Sequence, residues 1–180
     1  MKTRRQSGFT LIELTLVMGI SVLVAGALIG MFQAHIQMLN QAAKYRFLAQ
    51  DAPFIGLLLT RTVGNAEDYR IYATGSDARS DVNRVISGQA VRLWMRQPNS
   101  TFRQVVVSFE TFNSHRGIYV YLTSTGTFPA TPNWELAGAQ GVGQLNAATF
   151  DAASVVRPGV LLVTLTGTYF EQYTFSAEKK

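Results

Sequence analysis

Apolar positions follow three regimes along the chain. From Phe9 to Phe32, 24 residues contain a single ionisable side chain, Glu13. As a helix this run spans roughly 36 Å at about 1.5 Å per residue. That is enough to cross a hydrocarbon layer of about 30 Å. From Phe32 onward, apolar residues recur at three- and four-residue spacing through Ile36, Leu39, Ala43 and Phe47. Gln33, Gln37, Asn40, Gln41, Lys44 and Arg46 lie between them, the pattern of an amphipathic helix. The stripe falters at Gln50 and Asp51 and resumes at Phe54 and Leu58. Pro53 removes a backbone donor and crowds the preceding turn, so a kink or short interruption is expected there. Gly64-Asn65 supplies a stop signal.

Beyond about Tyr69 the period shortens to two. Ala90–Arg96 alternates, with Val91, Leu93 and Met95 on one face and Arg92, Trp94 and Arg96 on the other. Gln104–Glu110 and Gly117–Thr123 are rich in branched and aromatic residues, and Asn113–Gly117 makes a turn between them. These three segments read as one antiparallel meander. After a Pro-, Gly- and Ala-rich stretch from Thr125 to Gly143 come two more strands, Val160–Thr166 and Thr168–Phe175, parted by Gly167. The polar segment Gly75–Gly88 reads as a surface loop. The expectation is an α+β fold in which a sheet of roughly four to six strands packs on the outer half of a long N-terminal helix. No internal repeat is visible.

Composition narrows the function classes. With 47% hydrophobic and 15% charged residues in 180, the chain can build a core and is not a disordered polyelectrolyte. The absence of cysteine excludes disulfides, thiolate zinc sites and thiol nucleophiles. The formal charge of +5 is unevenly placed, because Lys2, Arg4 and Arg5 all precede the apolar run. Cationic residues on that side keep the N-terminus in the cytoplasm and send the rest across. Without these three the side-chain balance is +2, so overall basicity gives little support to nucleic-acid binding. A secretory signal peptide has a shorter apolar core, about 7–15 residues, followed by a small-residue cleavage site. This run is longer and continues into a helical pattern, so it is retained.

Glu13 is the anomaly in the span. A carboxylate at mid-membrane costs roughly 2.5–3.5 kcal/mol on insertion scales, less near an end. It therefore calls for a partner or a role. The run Gly8-Phe9-Thr10-Leu11-Ile12-Glu13, after a short basic leader and before a long apolar helix, resembles the N-terminal signal of type IV prepilins and type II secretion pseudopilins. The likeness is dense over residues 1–35, and the long helix extends it to about residue 62. It implies a pilin-like fold and a structural subunit, not an enzyme. The implied organisation is a cleaved leader (1–8), a transmembrane and filament-core helix (9–32), its amphipathic continuation (33–63) and an extracytoplasmic β-rich head (64–180).

The resemblance further implies that a prepilin peptidase cuts between Gly8 and Phe9 and N-methylates Phe9. Glu13 then attracts the amine of a neighbouring subunit's Phe9, which supplies the counter-charge and sets the filament register. The implied partners are the prepilin peptidase, other pilin or pseudopilin subunits, an inner-membrane assembly platform and membrane lipid. The implied location is the bacterial inner membrane, and then a pilus or pseudopilus. Gly26 and Gly30, with Gly19 seven residues before Gly26, offer a small-residue face for close helix packing. Related pilins often unwind near a proline here; this chain has Gly30 instead. The cysteine-free C-terminal region departs from major pilins that close it with a disulfide, and so favours a minor pilin or pseudopilin.

Other constellations are weaker. His35 and His115 lack companions at metal-ligand spacing. Asp77 and Asp81 share a loop with Ser76, Ser80 and Asn83 without the order of a calcium loop, and Arg79 and Arg84 oppose a cation. Gly138–Gly143 lacks the lysine and the context of a phosphate loop. Asn99-Ser100-Thr101 fits a glycosylation triplet by composition. No nucleophile, base and oxyanion donor assemble, and no cofactor is implied. Arg92, Trp94 and Arg96, with Arg103 nearby in sequence, form a cationic-aromatic set able to contact nucleic acid or a neighbouring subunit. The competing readings are a DNA-binding minor pilin and a signal-anchored periplasmic protein.

Overall fold

The structure, a computed structural model, describes residues 10–138, 145–152 and 159–179. The chain forms two compact units, Met1–Ala43 and Lys44–Lys180. Helix α1 (Leu11–Arg46) is followed by a π-helical turn (Phe47–Asp51) and helix α2 (Ala52–Gly64). The interruption expected around Pro53 takes this form: the wide turn ends two residues before the proline, and the backbone stays helical through Asp51 and Ala52 into α2. The helix stops at Gly64, as the Gly-Asn pair indicates.

None of the residues of α1 is buried. Leu11, Leu23 and Phe32 are 82%, 74% and 68% exposed, an apolar surface left uncovered among the described residues. Burial begins at Phe47 and continues with Ala52, Ile55, Gly56, Leu59 and Val63. The packing face of α2 is thus rotated from the one the sequence stripe indicated. Phe54 points outward at 48% exposure, and Leu58 is half-buried. The inserted π turn shifts the helical phase between Phe47 and Ile55, which a continuous 3.6-residue period cannot anticipate.

The second unit has two antiparallel sheets where one was expected. Sheet A runs in the order β1 (Asp68–Tyr72), β3 (Ala90–Arg96), β4 (Phe102–Phe112), β5 (His115–Thr123) and β6 (Trp134–Ala137). Its centre is the meander read from sequence, with a tighter turn at Asn113-Ser114. Sheet B runs β2 (Ser87–Gly88), β7 (Leu145–Ala152), β8 (Val160–Gly167) and β9 (Gln172–Glu178). The last strand starts at Gln172, not Thr168, because Thr168–Glu171 forms the hairpin turn, closed by the Gly167 N–H donating to the Glu171 carbonyl at 2.8 Å.

The main core lies between the sheets and α2. Val91, Leu93, Val105, Val107 and Val120 of sheet A meet Phe150, Leu161, Val163 and Leu165 of sheet B, together with Ile55, Leu59 and Val63 of α2. Gly56 lets α2 approach β9 closely, since a Cβ there would stand 3.3 Å from the Phe175 ring. The Gly75–Gly88 segment is more than a surface loop. It holds a short helix, α3 (Gly75–Ser80), capped by Thr74, and Ala78 is buried on the second face of sheet A against Tyr72, Val106 and Tyr121.

Candidate assembly sites

The first site is the start of α1. The Thr10 hydroxyl accepts from the Glu13 N–H at 3.3 Å, while the Glu13 carboxylate accepts from the Thr10 N–H at 2.8 Å and from its hydroxyl at 2.9 Å. This is a reciprocal capping box, which satisfies backbone donors that a helix start leaves open. The sequence carries its signature, Thr-x-x-Glu ahead of an apolar run, and Thr10 is a residue that the sequence reading passed over. These bonds orient the Glu13 carboxylate toward the helix start. Gly8 and Phe9, the expected cleavage and methylation positions, lie outside the described residues. Around Gly19, Gly26 and Gly30, no described atom beyond the adjacent residues and the helix's own backbone comes within 4 Å of where a Cβ would sit. Nothing among the described residues requires glycine at these three positions.

The second site is the arginine and tryptophan set, which the structure divides. Arg92, Trp94 and Arg96 share the face of sheet A that carries α3. Arg103 pairs with Met95 and therefore faces the opposite side. Arg92 is not on a solvent face: it is 7% exposed and donates to the Ala78 carbonyl at 3.1 Å and to the Gln104 side chain. Its guanidinium lies 5.2 Å from the Trp94 ring centre, and Arg70 lies 4.6 Å from it. Arg70 meets Asp81 at 3.5 Å, and Arg96 meets Glu67 at 2.6 Å. The charges of this face are largely spent on internal pairs, because tertiary folding brings Glu67 and Asp81 to arginines distant in sequence.

Asp77 and Asp81 are similarly occupied. Asp77 accepts from Thr74 and Asn83, which hold its carboxyl below the ordinary range despite slight desolvation. For Asp81, desolvation acts upward, but hydrogen bonds from Tyr72 and Arg84 outweigh it and the net shift is downward. Neighbouring Tyr121 donates to Glu110. Burial first, then that bond, pushes its phenol far above the usual range. Among the described residues no group of three or more His, Asp or Glu side chains could hold a metal ion. His35 lies on α1 and His115 opens β5. The Asn99 side-chain oxygen accepts from the Thr101 N–H and hydroxyl within the β3–β4 turn. Of the glycine-rich 138–143 segment, 139–143 lie outside the described residues.

A third site has no counterpart in the sequence reading. Between the C-terminal half of α2 and sheet A lies a cavity of about 260 Å³, floored by Met95, Leu122 and Leu136 and flanked by Trp134, Arg61 and Arg103. Its signal in the sequence is faint, because its lining comes from five separate elements.

Residues 3–29 match the family model of the prokaryotic N-terminal methylation motif. No curated protein and no solved structure matches the chain.

Proposed function

We propose, from the premise that this chain carries the N-terminal signal of the type IV pilin and pseudopilin family, that it is a minor pilin or minor pseudopilin built into a type IV pilus or type II secretion pseudopilus. The observation that carries the reading is the pairing of that signal with a helix whose apolar side chains are left uncovered among the described residues. They need a membrane before assembly and other subunits after it. Anchoring through this helix and processing by a prepilin peptidase follow from the motif. The basic leader supports a cytoplasmic N-terminus with the β-rich head on the far side.

In this mechanism cleavage after Gly8 frees the Phe9 amine. That amine then pairs with the Glu13 carboxylate of an adjacent subunit. Thr10 acts through Glu13: its hydrogen bonds hold the carboxylate against the helix start, so that the incoming amine meets an oriented acceptor. The glycines of α1 let neighbouring helices approach closely. The internal ion pairs of the Arg92, Trp94 and Arg96 face support a structural role there ahead of nucleic-acid contact.

The test is mass spectrometry of the N-terminus in native membranes. The chain should begin at an N-methylated Phe9, and a Gly8→Arg variant should accumulate as full-length precursor. Normal processing of that variant would sink the reading. Glu13→Gln should be cleaved yet recovered from sheared filaments at less than a tenth of the wild-type level. Crosslinking in native membranes, followed by identification of neighbours, separates pilus from secretion pseudopilus.

A further inference from the structure

The second unit carries an unpartnered aromatic knob and an unpartnered apolar hole, and their charges are complementary. The knob is the β8–β9 turn. Phe170 stands out at 76% exposure, held there by a left-handed backbone (φ 63°), with Tyr169 at 41% beside it. Displaying a phenylalanine to water in a conformation that disfavours bulky side chains is unfavourable twice over. Glu171, which closes the turn, accepts from the Tyr169 N–H at 2.9 Å and has no cationic partner among the described residues. The hole is the cavity floored by Met95, Leu122 and Leu136. The two exposed arginines that flank it, Arg61 and Arg103, have neither a carboxylate nor a hydrogen-bond partner among the described residues.

Knob and hole lie toward opposite ends of α2. The turn begins at Gly167, which packs against Phe47 just ahead of the helix, while the hole is lined by Leu59, Thr62 and Asn65 at its far end. From Phe47 to Leu59 the helix advances roughly 18 Å at about 1.5 Å per residue, so a knob cannot fill the hole of its own chain. We infer that the hole receives the Tyr169–Glu171 turn of a second copy, with Phe170 seated on the apolar floor and Glu171 between Arg61 and Arg103. The other exposed apolar loop, Val82 to Ile86, is a poorer fit, since its neighbour Asp81 is already shared by Arg70 and Arg84. Two different surfaces meet in this contact, so it is heterologous: each copy leaves one knob and one hole open, and the contact repeats without closing. It rests on the filament-subunit reading and deepens it, giving the head a stacking contact besides the one at Glu13. Copies stack wherever two are adjacent, whatever share of the filament they form.

The lack of cysteine in the chain makes the test clean. Thr62→Cys places a thiol at the hole and Tyr169→Cys one beside the knob, leaving Phe170 and all three charged residues intact. Full-length chains are treated in native membranes with a short bis-maleimide. Each single variant alone should stay monomeric, the two co-expressed should give a dimer, and the double variant should give a ladder. Adding Glu171→Arg should reduce the ladder at least tenfold, and further adding Arg61→Glu with Arg103→Glu should restore it. Restoration also demonstrates that the charge variants fold. Equal dimers from each single variant, adducts only to a different protein, or a ladder indifferent to Glu171→Arg would overturn the proposal. So would no ladder from a double variant cleaved before Phe9 and with a protease-resistant head. A chain left uncleaved in the same blot counts against the filament reading, whereas a cleaved chain without a ladder counts against the stacking alone.

Discussion

Helices α1 and α2 are separated by only five residues, and both are apolar, yet they solve opposite problems. Across α1 no residue is buried; in α2 five of thirteen are. The difference does not lie in helix propensity. It lies in what surrounds each one: α2 finds its apolar environment in the two sheets, whereas α1 finds none among the described residues. A helix that buries nothing at home needs an apolar environment from elsewhere, which the proposed function assigns to lipid first and to other subunits later. The π turn between them marks the change, since the first buried side chain, Phe47, begins it.

Matched truncations sharpen this contrast most. Leu59 is 2% exposed in the main core, so Leu59→Ala should cost the head about 2–5 kcal/mol. The equivalent change at Leu23, 74% exposed, should leave head unfolding unchanged while weakening filament recovery. Thermal unfolding of the full chain in detergent measures both, and a matching loss from Leu23→Ala would break the comparison. Next in size is Gly56→Val, which presses a branched side chain into the Phe175 ring. It should cost about 1–3 kcal/mol by overpacking. Gly26→Val on α1 meets no side chain among the described residues and should leave the head untouched, reducing only assembly.

Smaller still is Thr10→Ala, which removes the capping hydroxyl and should weaken the start of α1 by about 1 kcal/mol. If Thr10 positions Glu13, this variant should be cleaved normally but assemble less, and Thr10→Ser should rescue it. The smallest effect is the acid limb of head stability. The Asp81 pKa is depressed in the folded chain, so its contribution is present above the unfolded value of about 3.9. It is lost as pH falls through the lower folded value. Denaturant midpoints measured from pH 5 to pH 2 should decline, and Asp81→Asn should flatten part of that decline. An unchanged slope would remove Asp81 from the account.

Much of the architecture was legible because its signals are local. The apolar run, the single Glu13, the Gly64 stop and the β3–β4–β5 meander all depend on neighbouring residues. What was missed depends on distant ones. Arg92 alternates onto the polar side of its strand, and only the arrival of α3 turns that side into an interior, where the Ala78 carbonyl and Gln104 receive the guanidinium. Strands β1, β6 and β7 are short or carry polar residues, so their β character comes from pairing partners more than from propensity. The packing face of α2 went astray by a phase shift of one inserted π turn. Thr10 is the exception, a local signal within reach of the sequence, overshadowed by the acid it caps.

By itself the sequence determined the α+β class, the membrane-length helix and the processing motif, since each rests on residue order over a few turns of chain. Tertiary structure alone decided that two sheets enclose the core, that Arg103 parts from Arg92, and that Phe170 and the Arg61–Arg103 hole lie toward opposite ends of α2. Those outcomes depend on which strands pair and on which face each side chain lands. A single-residue shift in register or phase reverses the face, and only the packed core fixes it.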